Sequence, residues 1–326
     1  MFKIVIIGAG KMAQEYVKVL KDINSVLIVG VVSKTLESAE IFAERNEIKN
    51  FTAINSLTTF LEEVRPSHII LCVTPDKMFP ILKQLSENSY SVLVEKPIGL
   101  NFEESLEINN LSKKGNLKIY PALNRRFLPA IFIAKQIFQD IGLDDKSHPK
   151  TICVVDQQDT IEAQEYGHSR VILENWHFAN GIHMLDLAFS FCNGRILKLD
   201  TDRVEFSNDK FIINAEIEFS SGDKIFYSSF WNLSKKWEIT ILGSDIKLLL
   251  SPIEILKLIE KNGKDISKSL SFDKWNYCKE PEEFKPGLAN MVKWFLGLEN
   301  FSLRPEDLLN QSHQSMEVLN KIYGGK

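Results

Sequence analysis

The sequence predicts an α/β protein in two parts: a doubly wound parallel sheet over residues 1–121, then an α/β domain with a mostly antiparallel sheet over 122–326. Three observations carry that expectation. Strand and helix signals alternate up to about residue 121, a glycine-rich turn follows the first strand directly, and beyond 121 the strands change to period-two alternation.

Taken in order, short apolar runs occur at Phe2–Ile7, Val26–Val32, His68–Val73, Ser91–Val94 and Leu117–Tyr120. Amphipathic stretches separate them at Leu36–Arg45, Ser56–Val64, Lys77–Leu85 and Phe102–Ser112. Strands apolar on both faces, alternating with such helices, imply a parallel sheet covered on both sides. An amphipathic helix at Leu128–Ile141 then leads into the polar loop Gly142–Lys150. Strands follow at Thr151–Gln157, Phe211–Phe219, Lys224–Asn232 and Trp237–Leu242, with Ser221-Gly222-Asp223 as a hairpin turn. Helices at Leu288–Leu298 and Arg304–Tyr323 close the chain.

The composition limits the function classes. The chain has 326 residues, 44% apolar and 25% charged, ordinary for a soluble globular protein of roughly two domains. A formal net charge of −4, with basic residues only in short pairs such as Lys113-Lys114 and Arg125-Arg126, argues against nucleic acid as the main partner. No apolar run approaches the roughly 20 residues that span a bilayer, which argues against a membrane partner. The N-terminal MFKIVIIGAG is charged and then apolar, yet too short for a signal peptide, and it runs into glycines; it reads as the first core strand. Cys72, Cys153, Cys192 and Cys278 lie far apart with no C-x-x-C pair. They read as reduced thiols of a cytoplasmic protein, with no metal site.

Gly8-Ala9-Gly10-Lys11-Met12-Ala13 fits G-x-G-x-x-A. The first glycine permits a tight turn, the second lets a pyrophosphate approach the backbone, and the small third residue lets helix and strand pack closely. The helix starting near Lys11 turns its free N–H groups toward the phosphates. With a strand before and a helix after, this is the context a dinucleotide site requires, and it makes Gly8, Gly10, Lys11 and Met12 cofactor-binding candidates. At the end of the second strand, where NAD sites carry Asp or Glu, stand Ser33, Lys34 and Thr35. No carboxylate repels a 2′-phosphate there, and a hydroxyl and a cation can bind one, so NADP(H) is expected ahead of NAD(H). A helix N-cap at Ser33 or Thr35, with Lys34 merely solvated, is the plain alternative, and both can hold.

The stretch VLVEKPIGL ends a buried strand in Glu95, Lys96 and Pro97. Charged residues are seldom fully buried without a partner, and proline bars the strand from continuing. Thr74 and Pro75 end the preceding strand on the same edge. Ligands of a doubly wound sheet sit beyond the carboxyl ends of its strands. Lys96 is therefore expected where nicotinamide meets substrate, with Thr74, Pro75 and Glu95 beside the cofactor and a cis bond at Lys96–Pro97. An ammonium there can donate to a hydroxyl that becomes alkoxide-like as hydride leaves, while Glu95 orients or neutralises it. A solvated charged turn is the alternative.

These pieces together resemble the Gfo/Idh/MocA oxidoreductases over nearly the whole length: GAGKMA, VTP, VEKP, NRRF at Asn124–Phe127, GIHMLDL at Gly181–Leu187 and the closing NKIYGG. The resemblance implies an N-terminal Rossmann domain, a C-terminal α/β domain with a large open sheet, a pyranose-like or polyol substrate between them, and a homo-oligomer paired through the sheet. It also implies a D-x-G-x-H element whose His moves a proton and whose Asp positions substrate or tunes the site. Gly181 and His183 match, but Ala179 stands in the aspartate position. His183 is the general-base candidate. Read alone, it starts a helix apolar on nearly every side, where a satisfied core histidine is the alternative. Asp186, three residues on, can interact with it, and His177 can supply the polar group that Ala179 lacks. Asn124 and Arg125 can hold substrate hydroxyls or an anionic group, or make an interdomain ion pair.

The expected activity is hydride transfer between a nicotinamide cofactor and a secondary hydroxyl or ketone of a sugar or polyol, with Lys96 and His183 catalytic. Ala179 leaves open an inactive nucleotide-sensing or scaffold protein, and an NAD-assisted lyase or hydrolase is a third reading. Substrate specificity is expected in the loop around Gln157–Ser169, which is a lid or simply a polar connection.

Overall fold

The computed structural model describes residues 1–115, 117–140, 148–243, 246–267 and 280–324; most of the expected loop Gly142–Lys150, and Cys278, lie outside them. The first sheet is built from β1 (Phe2–Ile7), β2 (Val26–Ser33), β3 (Phe51–Ala53), β4 (His68–Leu71), β5 (Tyr90–Val94) and β6 (Leu117–Pro121). The helices between them are α1 (Lys11–Lys21), α2 (Leu36–Asn46), α3 (Leu57–Val64), α4 (Pro75–Leu85) and α5 (Phe102–Lys113). Strand order is β3-β2-β1-β4-β5-β6 with every neighbour parallel. Ile4, Val5, Ile6 and Ile7 are all fully buried, which is why β1 reads as an unbroken apolar run rather than an alternating one. The order reverses between β1 and β4, so the carboxyl ends of these two strands flank the position where such sheets take ligands.

The second sheet has seven strands in the order β13-β12-β11-β7-β10-β9-β8. These are β7 (Thr151–Gln158), β8 (Ile196–Glu205), β9 (Phe211–Phe219), β10 (Lys224–Trp231), β11 (Glu238–Leu242), β12 (Ile246–Leu250) and β13 (Leu256–Glu260). Only β7 and β10 pair in parallel; the other pairs are antiparallel, and Ser221-Gly222-Asp223 joins β9 to β10 as the hairpin turn. Along β7 the buried positions alternate: Ile152, Val154, Asp156 and Gln158. With this sheet go α6 (Pro129–Asp140), α7 (Thr160–Glu165), α8 (Arg170–Glu174), α9 (Trp176–Ala179) and α10 (Ile182–Phe189), of which α10 packs on β7.

Strands β3, β8, β12 and β13 and helices α7 to α9 were not expected from the sequence. β3 is three residues long. β8 carries Lys198, Asp200, Asp202 and Arg203 and is exposed almost throughout, a charged edge strand whose polarity hides its pattern.

The chain then returns to the first sheet, which the expected boundary near residue 121 did not anticipate. One compact unit comprises Met1–Asn124 and Glu280–Gln314; the other comprises Arg125–Lys279 and Ser315–Lys326. In the returning segment, the Glu280 carboxylate accepts the backbone N–H groups of Gly287 and of Asn290 (2.8 Å) and so caps α11 (Leu288–Phe295). Trp294 and Phe295 meet the Tyr120 ring edge-on at 5.0 Å each, and Phe295 also meets His68 at 5.0 Å. The last helix, α12, runs from Pro305 to Ile322.

Candidate active site

The glycine turn leaves β1 at Gly8, whose φ of +119° falls where side chains are strained and whose added Cβ would stand 2.4 Å from the Cys72 carbonyl oxygen. Gly10 differs. Its backbone is extended, and nothing lies within 4 Å of where a Cβ would stand, so the space above it is open to a ligand. Gly10 is also the N-cap of α1 and offers no side-chain cap, and a helix N-terminus of this kind suits an anion. Lys11 is exposed and Met12 half-buried. The Met12 sulfur lies 3.3 Å from Lys285 Nζ, an ammonium brought to the turn by the returning segment. Sequence reasoning missed Lys285; no local pattern links it to a turn 273 residues earlier. Open space, a helix start without a side-chain cap and a lysine fit the pyrophosphate of a dinucleotide.

At the end of β2, Ser33 is buried and its hydroxyl accepts from Ser38 Oγ at 2.7 Å. Thr35 caps α2, accepting from the Ser38 N–H at 3.2 Å, so the capping duty falls to Thr35 and not to Ser33. Lys34 is exposed. Thr74 is the N-cap of α4, with Pro75 in its first turn.

Beyond β5, Glu95 and Lys96 are half-buried and the Lys96–Pro97 bond is cis, as expected. Tyr16, fully buried on α1, donates its hydroxyl to Glu95 Oε1 at 2.6 Å, and Glu95 Oε2 accepts the Lys96 backbone N–H at 3.3 Å. Burial and the adjacent Glu95 charge hold the Tyr16 hydroxyl well above the usual tyrosine range. Asn124 is also in this unit; its amide donates to the Pro286 carbonyl at 2.8 Å, a structural tie to the returning segment.

In the second unit, His183 lies in the first turn of α10, a helix buried along its whole length. The expected carboxylate partner does not serve it. Asp186 accepts a two-pronged pair of hydrogen bonds from the buried Arg126, at 2.6 and 2.8 Å, and a guanidinium fork satisfies both oxygens at once. His177 stacks on Tyr323 at 4.6 Å, and burial lowers its pKa to about 4, so it packs as a neutral ring. Arg125 pairs with Glu254 at 2.7 Å within its own unit, an internal ion pair where an interdomain one had been the alternative to substrate binding. The Arg125 guanidinium also lies 5.6 Å from the Trp237 ring, and the His183 ring lies 6.0 Å from the same indole. Trp237 thus gathers two predicted residues, although in the sequence it marks no more than a strand start.

Trp237 and Asn180 form part of a recess of about 320 Å³ whose wall also includes Gln157, Asp159, Glu162 and Trp176. A larger but more open hollow of about 520 Å³ lies at Ile246 and Glu260, and none of the predicted site residues lines it. Beneath α10, Gly181 is crowded: a Cβ there would stand 2.6 Å from the His177 carbonyl and 3.4 Å from Asp156 Oδ2. Asp156 is fully buried, and Tyr227 donates to it at 2.5 Å. Burial pushes its pKa up to about 7, against the opposing pull of the Tyr227, Gln158 and Trp237 donors. No cluster of three or more metal-ligating side chains occurs among the described residues.

Known proteins give these units a context. Residues 2–122 match the GFO_IDH_MocA model, an oxidoreductase family with an NAD-binding Rossmann fold. An uncharacterized oxidoreductase of Synechocystis sp. is 23% identical over 139 residues, 42% of this chain and only 37% of that relative's length. Among solved structures, a dehydrogenase from Chromobacterium violaceum superposes with a TM-score of 0.76 at 16% identity, covering 99% of this chain and 94% of that one. An oxidoreductase from Thermotoga maritima gives 0.75 at 19% identity (99% and 97% covered). The UDP-N-acetylglucosamine 3-dehydrogenase of Acidithiobacillus ferrooxidans gives 0.73 at 15% identity (98% and 96% covered). At such identities the structural likeness speaks for the fold, and the family match speaks for the glycine-turn unit. Residues 2–122 thus carry the NAD-binding Rossmann fold of the Gfo/Idh/MocA oxidoreductase family, and the parallel sheet followed by the mostly antiparallel sheet is the fold of these solved dehydrogenases.

Proposed function

We propose that this protein is a nicotinamide-dependent oxidoreductase acting on a secondary hydroxyl, or the matching ketone, of a sugar or polyol. The observation that carries the reading is the carboxyl edge of the first sheet, where the open approach to Gly10 and the amides of α1 occur on the same edge as Lys96. Gly8, Gly10, Lys11, Met12, Thr74, Pro75 and Glu95 would hold the dinucleotide, and Lys285 joins them. When bound, it supplies the hydride chemistry. Lys96 donates to the substrate oxygen as negative charge grows there, and His183 takes or returns the hydroxyl proton. Trp237 holds the His183 ring and the Arg125 guanidinium.

The recess in the second unit supports a hydroxylated ring as substrate. Indoles of Trp176 and Trp237 offer an apolar face, while Gln157, Asn180, Asp159 and Glu162 offer hydrogen-bonding groups for hydroxyls. The same recess supports the substrate-binding role of residues 122–326. Arg125 is a positioning group for that ring; Asn124 and His177, engaged elsewhere, are assigned no substrate contact. The buried Ser33 hydroxyl, with Ser38 beside it and Lys34 exposed, supports NADP(H) ahead of NAD(H). A second copy is assigned to the outer face of the second sheet, where Val204 and Phe226 are exposed. No described helix is long and apolar enough to cross a membrane, and the free thiols Cys72, Cys153 and Cys192 suit a reducing, cytoplasmic setting.

The test is nicotinamide reduction, followed by absorbance, with NAD⁺ and NADP⁺ against a panel of neutral sugars, amino sugars, nucleotide-linked sugars and polyols. Turnover of at least one member is the expected result. Tight dinucleotide binding without turnover of any would leave a nucleotide-binding scaffold in its place.

A further inference from the structure

We infer that Tyr16 is a positioning residue for Lys96, acting through Glu95. The inference takes from the oxidoreductase reading only the task assigned to Lys96. Its geometric part stands on the first unit alone.

Tyr16 lies on the inner face of α1 with Ala13, Val17 and Leu20, all buried. A phenylalanine would fill the same space. A buried tyrosine keeps its hydroxyl only where a partner meets it, and here the partner is Glu95 Oε1 at 2.6 Å, in the range of a charge-assisted bond. The second oxygen of the same carboxylate accepts the main-chain N–H of Lys96 at 3.3 Å. Glu95 itself continues the strand ladder, its N–H donating to the Leu71 carbonyl at 2.9 Å. On another side is Cys72, whose thiol is held well above its usual range by burial and by Glu95, and whose carbonyl fills the space under Gly8.

Glu95 is therefore held at one end by the helix that opens the glycine turn and at the other by the backbone of the lysine. The hydroxyl keeps the carboxylate in one rotamer. This sets the Lys96 main chain in register with α1, the element whose N-terminus faces the dinucleotide phosphates. Without the hydroxyl, a carboxylate short of one donor turns to the nearest cation, and Lys96 is next to it in sequence.

Tyr16→Phe removes one oxygen and leaves the packing. On a substrate that the wild-type protein turns over, kcat should fall by about ten- to a hundredfold, the range for a misplaced reacting group. The dissociation constant of the dinucleotide, read from tryptophan fluorescence, should barely change. Tyr16→Phe/Glu95→Gln should be no slower than the slower single variant, as for two groups that act as one unit. A Tyr16→Phe protein with wild-type kcat overturns the inference, and so does a double variant whose losses multiply. A second readout needs no substrate: titration of the Lys96 ε-amine by carbon-13 NMR of the reductively methylated protein, assigned by Lys96→Arg. Its midpoint should rise in Tyr16→Phe. An unmoved midpoint overturns the inference. A raised midpoint in a protein that oxidises none of the panel sustains it while the oxidoreductase reading fails.

Discussion

The carboxyl edge of the first sheet and the polar interior of the second unit are built from different materials. The first relies on backbone: a turn at Gly8, the start of α1 with no side-chain cap, and strand ends at Thr74 and Glu95. The second relies on side chains drawn from separate elements, with Asp156 and Gln158 from β7, Asn180 and His183 around the start of α10, Tyr227 from β10 and Trp237 just before β11. A backbone site depends on the conformation of a few consecutive residues. A side-chain site depends on convergence across the fold, so the two should fail differently when single residues are changed.

The largest expected difference is between the two glycines of the turn. Gly8→Ala places a Cβ against the Cys72 carbonyl at a positive φ and should destabilise the first unit by about 3 kcal/mol or more. Gly10→Ala, with open space around it, should leave thermal stability within about 0.5 kcal/mol yet weaken dinucleotide binding. Calorimetric melting of both variants, with and without NADP⁺, checks the pair. Equal melting losses would mean that the turn is not divided in this way.

Next come the two catalytic candidates, one from each region. Lys96→Met and His183→Asn should each lower kcat by roughly 10² or more, the usual loss for an oxyanion donor or an acid–base group. Only Lys96→Met should also alter dinucleotide affinity. Near-native turnover in His183→Asn would make that histidine a core residue.

A smaller effect, opposite in sign to most core substitutions, is expected at Asp156. Its folded pKa is raised from 3.8 to about 7, so between those values the folded protein holds a proton that the unfolded chain has released. Stability contributed by this group is complete below about pH 4 and falls as pH rises, until it is lost above about 7. Asp156→Asn removes that loss. It should raise stability at pH 8 by on the order of 2 kcal/mol and change it little at pH 4, as read from urea melts. A variant destabilised equally at both pH values would show that the carboxylate is ionised in the fold.

The smallest effect tests the end of β2. Ser33→Asp sets a carboxylate where a 2′-phosphate would sit and should raise the KM for NADP(H) about tenfold, with NAD(H) little affected. A native protein that binds NAD at least about tenfold more tightly than NADP would reverse the assignment.

What the sequence made legible follows the same division. The glycine turn, the strand ends and the break at Pro97 are local, and each lies within a few residues of its cause. The carboxylate partner of His183 was misread because i, i+3 spacing on a helix shows what can meet, not what wins, and Arg126 takes both oxygens of Asp186. Asp156 escaped because, although alternation puts it in phase with the buried Ile152 and Val154, an acid followed by two glutamines reads as the polar end of a strand. Trp237 and Lys285 carry no motif; each acquires its place only when distant segments meet.

The returning segment has a consequence in time rather than in space. The first unit is complete only when Gln314 has been made, 190 residues after its first continuous stretch ends at Asn124. At synthesis rates of about 5–20 residues per second, that is an interval of roughly 10–40 s. During it, the faces of Tyr120 and His68 that Trp294 and Phe295 will cover stand open on a growing chain. The nucleotide-binding sheet can begin to fold early, but it is finished late, so a nascent chain stalled before α11 carries an apolar surface that a chaperone or protease can find.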